Sequence, residues 1–149
     1  MARVRRQVGT REALSLYEGI VFSEFYPNKG TWQQIFENEQ PLHVEIGMGR
    51  GRFIRTMAQE RPEINFIGVE VVEEIVLSAL RRMERETGIP SNLRLIWLNA
   101  ERLETIFANQ EVQRIYLNFS DPWPKYKHRK RRLTHGNFLK QYEQILADN

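Results

Sequence analysis

A strand that ends in a glycine-rich turn is the first feature of this 149-residue chain that could bind a ligand. Glu45 precedes the turn, and Gly47, Gly49 and Gly51 follow at alternate positions. Glycines permit positive φ and let a ligand approach the backbone without Cβ clashes. The G-x-G-x-G spacing differs from the G-x-G-x-x-G of dinucleotide-binding folds. A carboxylate at Glu45 suits an ammonium group better than a pyrophosphate, although a purely structural strand–helix turn fits the same pattern.

Polar residues also follow the next two predicted strands. Glu70 ends the second strand, where doubly wound sheets carry an acid that accepts hydrogen bonds from ribose hydroxyls. Asn99 and Ala100 follow the third strand. The Asn99 amide could contact an adenine edge or cap the helix that follows it. Because the carboxyl ends of parallel strands share one edge of a sheet, these positions predict a single ligand site.

An acidic loop joined to a run of cations follows the fourth predicted strand. Asp121 is one of only two aspartates in the chain. Two prolines follow it, one on each side of Trp123, whose indole offers a flat surface for stacking. A run of basic residues follows this loop directly: Lys125, Lys127, His128, Arg129, Lys130, Arg131 and Arg132. A basic run beside an aromatic residue is typical of nucleic-acid contacts.

The charge distribution also indicates a polyanionic partner. The chain has 22 Lys+Arg against 19 Asp+Glu and a formal charge of +3. Residues 1–11 contain four arginines and residues 125–132 contain six cations, and neither segment contains an acid. The remaining 12 cations and 19 acids give the rest of the chain a charge of −7. Two concentrated basic segments on an acidic body favour local docking of a polyanion, with a solvated loop and arm as the alternative.

Composition excludes several classes of protein. The absence of cysteine excludes disulfides and thiolate metal sites, and three histidines disfavour a structural zinc site. The sequence has neither the run of about 18 apolar residues that a membrane helix needs nor a secretory signal. The length fits one domain. These observations predict a soluble, cytoplasmic domain with no metal and no membrane contact.

Short apolar runs alternate with amphipathic stretches from Pro41 onward, which predicts an α/β fold with a doubly wound, mostly parallel sheet. The predicted strands cover residues 42–46, 65–69, 93–98 and 112–119. One predicted helix follows the glycine turn and ends near residue 60. Three others cover residues 73–87, 101–108 and 134–148. Residues 1–40 are predicted to form a basic arm and an aromatic packing segment, and 41–149 the ligand-binding domain. Since no strand follows the last helix, the sheet is expected to lack its C-terminal strands in this chain.

These motifs together resemble the tRNA (guanine-N7)-methyltransferase family. The resemblance rests on E-I-G-x-G-x-G, G-V-E, the N-A step and the block N-F-S-D-P-W-P-K-x-x-H-x-K-R-R-L-T. It covers the chain from about Pro41 onward, and residues 118–134 are its most specific part. Members of the family are class I S-adenosylmethionine-dependent enzymes that methylate a guanine in the tRNA variable loop. The resemblance therefore implies a Rossmann-like class I fold, S-adenosyl-L-methionine as cofactor and tRNA as partner, in a monomer or homodimer.

The resemblance also implies roles for individual residues. Glu45, Glu70 and the three turn glycines would contact the cofactor, Glu70 through its ribose. Asn99, beside Ala100, stands near the adenine at a position that is usually acidic in the family. Asp121 matches a catalytic acid that also lies beside the methionine portion of the cofactor.

The loop after Asp121 would bind the RNA. Lys125 matches a substrate-contacting lysine, and residues 127–132 match the RNA-contacting segment. The family also has a Thr-Asp motif and a C-terminal substrate loop, and neither occurs in these residues. Two alternatives stay open: an exocyclic-amine methyltransferase, whose acid–Pro–Pro–aromatic motif D-P-W loosely matches, and an RNA-binding module without activity.

Overall fold

The structure is a computed structural model that describes residues 9–23, 29–118 and 136–148. Five strands form one sheet in which every pairing is parallel. The strands are β1 (Val21–Ser23), β2 (Leu42–Ile46), β3 (Asn65–Glu70), β4 (Leu93–Trp97) and β5 (Arg114–Leu117). The α-helices are α1 (Thr10–Leu14), α2 (Trp32–Phe36), α3 (Arg52–Glu60), α4 (Glu73–Glu86) and α5 (Gly136–Ile145), and two 3-10 helices cover Ser15–Tyr17 and Ala100–Thr105.

The strand order β1-β4-β3-β2-β5 places β3 at the centre of the sheet, and all six of its residues are buried. Separate apolar clusters cover the two faces of the sheet. One contains residues of α2, α5 and the 3-10 helix Ala100–Thr105, and the other contains residues of α1, α3 and α4. The predicted α/β class with a parallel, doubly wound sheet is therefore confirmed.

The predicted element boundaries hold best in the centre of the sheet and fail towards its C-terminal part. β2, β3 and β4 match their predicted ranges to within one residue. β5 is shorter than the predicted 112–119, because Gln113 separates it from an isolated parallel bridge between Val112 and Leu146. The predicted helix 101–108 is instead the 3-10 helix Ala100–Thr105, in which Arg102 departs from helical geometry at φ −117°. The last helix is described from Gly136 to Ile145 rather than over 134–148.

Strand β1 was not predicted by the sequence pattern. It pairs in parallel with the edge of β4, with Val21 opposite Leu95 and Ser23 opposite Trp97. Three residues are too few to show the alternation by which a strand is recognised in a sequence. The segment before β2 thus adds a strand to the sheet as well as apolar packing.

Trp32 anchors this N-terminal part of the chain in the core. Its side chain is 1% exposed, and its indole Nε1 donates a hydrogen bond of 2.9 Å to the carbonyl oxygen of Ile106. The Phe22 ring meets it edge-on at 5.3 Å, and the Phe107 ring lies 5.8 Å away. Phe36 is buried too, so three aromatic residues of the predicted packing segment, Phe22, Trp32 and Phe36, lie in or against the core. Phe25 and Tyr26 of the same segment lie outside the described residues.

The chain turns back beside β5 after helix α5. The Val112 N–H donates to the Ile145 carbonyl at 2.9 Å, and the Ala147 N–H donates to the Val112 carbonyl at 2.7 Å. These bonds start a parallel pairing at the edge of the sheet. Among the helices that the structure describes, each is too short or too polar to cross a membrane.

Replacing Trp32 with Ala should destabilise the fold by about 3–5 kcal/mol, because it removes a large buried side chain and leaves the Ile106 carbonyl without its donor. Urea unfolding measures this free energy. Leu16→Ala is the matched control, since Leu16 is 83% exposed and its loss should change stability by less than about 0.5 kcal/mol. Equal stability of the two variants would show that the N-terminal segment is not part of the core.

Candidate functional site

The carboxyl ends of β2, β3 and β4 bring the predicted ligand-binding residues to one edge of the sheet. In the register, Glu45 lies opposite Gly68 and Glu70 lies opposite Trp97. Asn99 follows β4 within two residues of its end. Residues 45, 70 and 99 therefore lie at the same edge of the sheet, as predicted for the carboxyl ends of parallel strands.

Backbone hydrogen bonds fix the glycine turn to the end of β3. The N–H groups of Gly47 and Met48 both donate to the Val69 carbonyl oxygen, at 2.9 and 3.0 Å. Gly47, Gly49 and Gly51 have φ values of 74°, 57° and 77°, in the left-handed region. Gly51 is the N-cap of α3, and a Cβ there would lie 2.7 Å from the Met83 Cε of α4. The turn needs glycine at Gly51 for its backbone conformation, since the Met83 methyl group could move aside.

Gly68, the first residue of the G-V-E motif, has a packing role that the sequence analysis did not assign to it. A Cβ on Gly68 would lie 2.5 Å from the Met48 sulfur and 3.2 Å from the Leu95 Cδ2. Met48 is 3% exposed and sits in the middle of the glycine turn. The bare backbone of Gly68 therefore makes room for the side chain that seats the turn on the sheet. A glycine inside a strand is the available signal, because such a glycine often marks close approach of another group.

Glu45 is fully buried and lacks a hydrogen-bond partner for either carboxylate oxygen among the described residues. Burial raises the pKa of Glu45 to about 7; the nearby Asn118 side chain lowers it and the charge of Glu70 raises it further. The Asn118 side chain lowers this pKa but forms no regular hydrogen bond with the carboxylate. A buried, unpaired carboxylate is costly, and a cation or a hydrogen-bond donor would satisfy it.

Glu70 has the opposite arrangement, because the backbone already occupies both of its oxygens. Oε1 accepts a hydrogen bond from the Gly49 N–H at 3.1 Å, and Oε2 accepts one from the Val72 N–H at 3.1 Å. Burial raises the pKa of Glu70, and the N–H groups of Val72 and Gly49 lower it. Each carboxylate oxygen keeps a second lone pair, so Glu70 can brace the turn and still accept a ligand hydroxyl.

Asn99 caps the following 3-10 helix, which is one of its two predicted roles. Its Oδ1 accepts a hydrogen bond of 2.9 Å from the Glu101 N–H. This bond starts the 3-10 helix, which includes Ala100, at that edge of the sheet. Contact of Asn99 with an adenine stays a prediction.

Arg11 belongs to the folded domain rather than to a solvated basic arm. Its Nε lies 3.2 Å from the Glu73 Oε2, and its guanidinium stacks over the Trp97 ring at 4.9 Å. The Trp97 indole donates in turn to the Val71 carbonyl at 3.0 Å, directly after Glu70. Helix α1 therefore packs against the rim of the candidate site, a contact that the sequence analysis did not anticipate.

The predicted catalytic and RNA-contacting residues lie outside the described residues. These are Asp121, Lys125, Lys127, His128, Arg129, Lys130, Arg131 and Arg132. The structure thus brings together the cofactor residues of the prediction without describing that loop. Within ranges 9–23, 29–118 and 136–148, no group of three or more His, Asp or Glu side chains could hold a metal ion.

Solved structures of similar fold are methyltransferases. The antibiotic-resistance methyltransferase Kmr matches with a TM-score of 0.56 and 18% identity, over 75% of this chain and 56% of Kmr. A SAM-dependent methyltransferase from Aquifex aeolicus matches with a TM-score of 0.55 and 12% identity, over 95% of this chain and 69% of that one. The chain therefore has the class I S-adenosylmethionine-dependent methyltransferase fold.

Sequence relatives define the family within this class. A family model described as "Putative methyltransferase" matches residues 39–149. The tRNA (guanine-N(7)-)-methyltransferase of Lysinibacillus sphaericus (strain C3-41) is 44% identical, and the enzyme of that name from Oceanobacillus iheyensis is 47% identical. Each match covers 99% of this chain and 68% of the relative, so this chain spans about two thirds of their length. The chain belongs to the tRNA (guanine-N7)-methyltransferase family, which confirms the resemblance seen in its motifs.

Replacing Glu45 with Gln should stabilise the ligand-free protein, and more so at high pH. The folded-state pKa of Glu45 is raised to about 7. The contribution of this residue to the free energy of unfolding is therefore greatest below pH 4.5 and falls as the pH rises to 7. The loss is about 1.4 kcal/mol per pH unit in that window. Urea unfolding at pH 5 and pH 8 should show a growing difference between the variant and the wild type.

Glu39→Gln is the matched control, because it makes the same chemical change on an exposed side chain. Its stability difference from the wild type should be the same at both pH values. If Glu45→Gln behaves like this control, Glu45 is not the unsatisfied carboxylate that the structure indicates.

Proposed function

We propose that this chain belongs to an enzyme that transfers a methyl group from S-adenosylmethionine to N7 of a guanine in the variable loop of tRNA. The observation that carries the proposal is the buried Glu45 carboxylate beside the glycine turn, which has no hydrogen-bond partner among the residues that the structure describes. The names of the relatives supply the substrate class, because both act on a guanine N7 of tRNA.

The residues at the sheet edge suit the three parts of this cofactor. Glu45 can pair with the ammonium of the methionine portion, which would satisfy the buried carboxylate. Glu70 can accept hydrogen bonds from ribose hydroxyls through its free lone pairs. Asn99 and Ala100 follow β4 where the adenine would lie. The cofactor supplies the methyl group, which its positive sulfur makes electrophilic.

The acceptor nitrogen needs no activation by a base. Guanine N7 carries a free lone pair, so the N7–methyl bond forms as the methyl–sulfur bond breaks, and the sulfur keeps the electron pair. The protein therefore contributes mainly by positioning the two reactants. The methylated base is cationic, and we propose that Asp121 stabilises the charge that develops on it.

Access to N7 explains why the target lies in a loop. In A-form RNA this atom lies in a deep, narrow major groove that side chains do not reach, so the base must be unpaired or turned outward. We propose that Trp123 stacks on the exposed base. The run Lys125–Arg132 would hold the neighbouring phosphates.

Incubation with labelled S-adenosylmethionine and unmodified tRNA transcripts should place the label in 7-methylguanosine of the variable loop. Nuclease digestion and mass spectrometry identify the nucleoside and its position. Asp121→Asn should lower turnover at least tenfold with little change in cofactor affinity, because it removes one fixed charge. Asp148→Asn, the only other aspartate replacement in the chain, is the matched control and should keep normal turnover.

Label on an exocyclic amine would identify the alternative reaction class. RNA binding without any methylation, in a protein that binds the cofactor, would favour a binding module. Normal turnover of Asp121→Asn would remove that residue from catalysis.

Cofactor affinity should fall as the pH drops below about 7. Only the ionised Glu45 attracts an ammonium group, and its pKa of about 7 in the free protein sets that limit. Affinity should therefore decrease about tenfold per pH unit below this value. Glu45→Gln should bind at least tenfold more weakly at pH 8 and lose this acid limb, as calorimetric titration of S-adenosylmethionine can measure. An acid limb in Glu45→Gln equal to that of Glu39→Gln would assign the titration to another group.

A further inference from the structure

Four arginines line a shallow pocket where helix α3 meets helix α4. Gly51 and Met83 complete its wall; the arginines of this arginine pocket are Arg50, Arg52, Arg55 and Arg82. They account for a third of the 12 cations that lie outside the two basic segments. The acidic body of the chain thus contains a local concentration of positive charge.

One carboxylate neutralises only part of this charge. The Glu86 Oε2 forms an ion pair with the Arg55 Nη1. The Glu86 Oε1 lies 3.1 Å from the Arg82 Nε. This bridge links α3 to α4 in addition to the apolar cluster that the two helices share. Arg50 and Arg52 are exposed and form no ion pair with any residue that the structure describes. Their charges therefore remain available to a ligand.

Arg55 adds an unused donor to the same pocket. Its side chain is 15% exposed, and its Nε is buried without a hydrogen-bond partner in the described part of the chain. Buried donors are normally hydrogen-bonded, so the Arg55 Nε is free to bind an acceptor atom of a ligand. Guanidinium groups match the oxygen geometry of a phosphate, so an oxyanion is the ligand that fits.

The lining residues indicate which kind of phosphate the pocket accepts. Within the described part of the chain, Gly51 and Met83 are the only other lining residues, so this wall has neither an aromatic surface nor a side-chain amide for reading a base. Contacts of this kind position a nucleic acid by its backbone and carry no sequence information. Gly51 also belongs to the glycine turn, which places the pocket next to the proposed cofactor site.

We propose that the arginine pocket binds a backbone phosphate of the RNA substrate. This inference rests on the proposed function and adds a contact beyond the basic run after Asp121. It is a positioning contact: Arg50 and Arg52 hold the RNA, and neither touches the reacting atoms.

The test is the affinity of the double variant Arg50→Gln and Arg52→Gln for an unmodified tRNA transcript between 50 and 200 mM salt. We expect affinity about tenfold weaker than that of the wild type, because hydrogen bonds to a charged group are lost. The slope of log K against log salt should become shallower by about 0.7–0.9, as expected for one phosphate contact. Binding of S-adenosylmethionine should be unchanged.

The matched control is the double variant Lys29→Gln and Lys140→Gln, which removes the same charge from two exposed side chains outside the pocket. Its affinity should fall less than about threefold, with the same salt slope as the wild type. RNA binding by the arginine variant equal to that of this control would overturn the inference while leaving the proposed function intact. Loss of cofactor binding in parallel would also overturn it, because the arginines would then act through the glycine turn. A wild-type protein that binds no RNA would contradict both proposals.

Discussion

The double hydrogen bond from Gly47 and Met48 to the Val69 carbonyl is the contact on which the site depends. It joins the glycine turn after β2 to the end of β3, and the Gly49 N–H adds a hydrogen bond to Glu70. These bonds fix the spacing between Glu45 and Glu70, the two carboxylates at this edge of the sheet. Met48, seated over the bare backbone of Gly68, keeps that turn on the sheet from below.

The two carboxylates differ in what the fold does with them. Glu70 is used internally, since backbone N–H groups hold both of its oxygens and offset part of the cost of its burial. Glu45 is buried with no such hydrogen bond from any residue in the described ranges. A group that lowers the stability of the free protein and suits a ligand is typical of a functional site. The unequal treatment of two similar side chains therefore locates the site better than either acid does by its position in the sequence.

The sequence predicted the central strands and the residues at their ends, because long buried runs and glycine turns are local signals. It could not predict β1, whose three residues are identified only by their pairing with β4. The 3-10 helix after Asn99 depends on one side-chain cap, and the Met48–Gly68 contact depends on the spacing between neighbouring strands. The arginine pocket could not be predicted from the sequence for another reason. Its members are up to 32 positions apart in the sequence, and the total charge of −7 for the body concealed their local excess.

The position of Trp32 has a consequence for the order of folding during synthesis. Its hydrogen-bond partner Ile106 lies 74 residues later in the chain, and β1 must wait for β4 in the same way. Contacts between such distant residues form slowly and only after the intervening chain is made. The aromatic N-terminal segment therefore leaves the ribosome well before its partners and stays open to wrong associations in that interval.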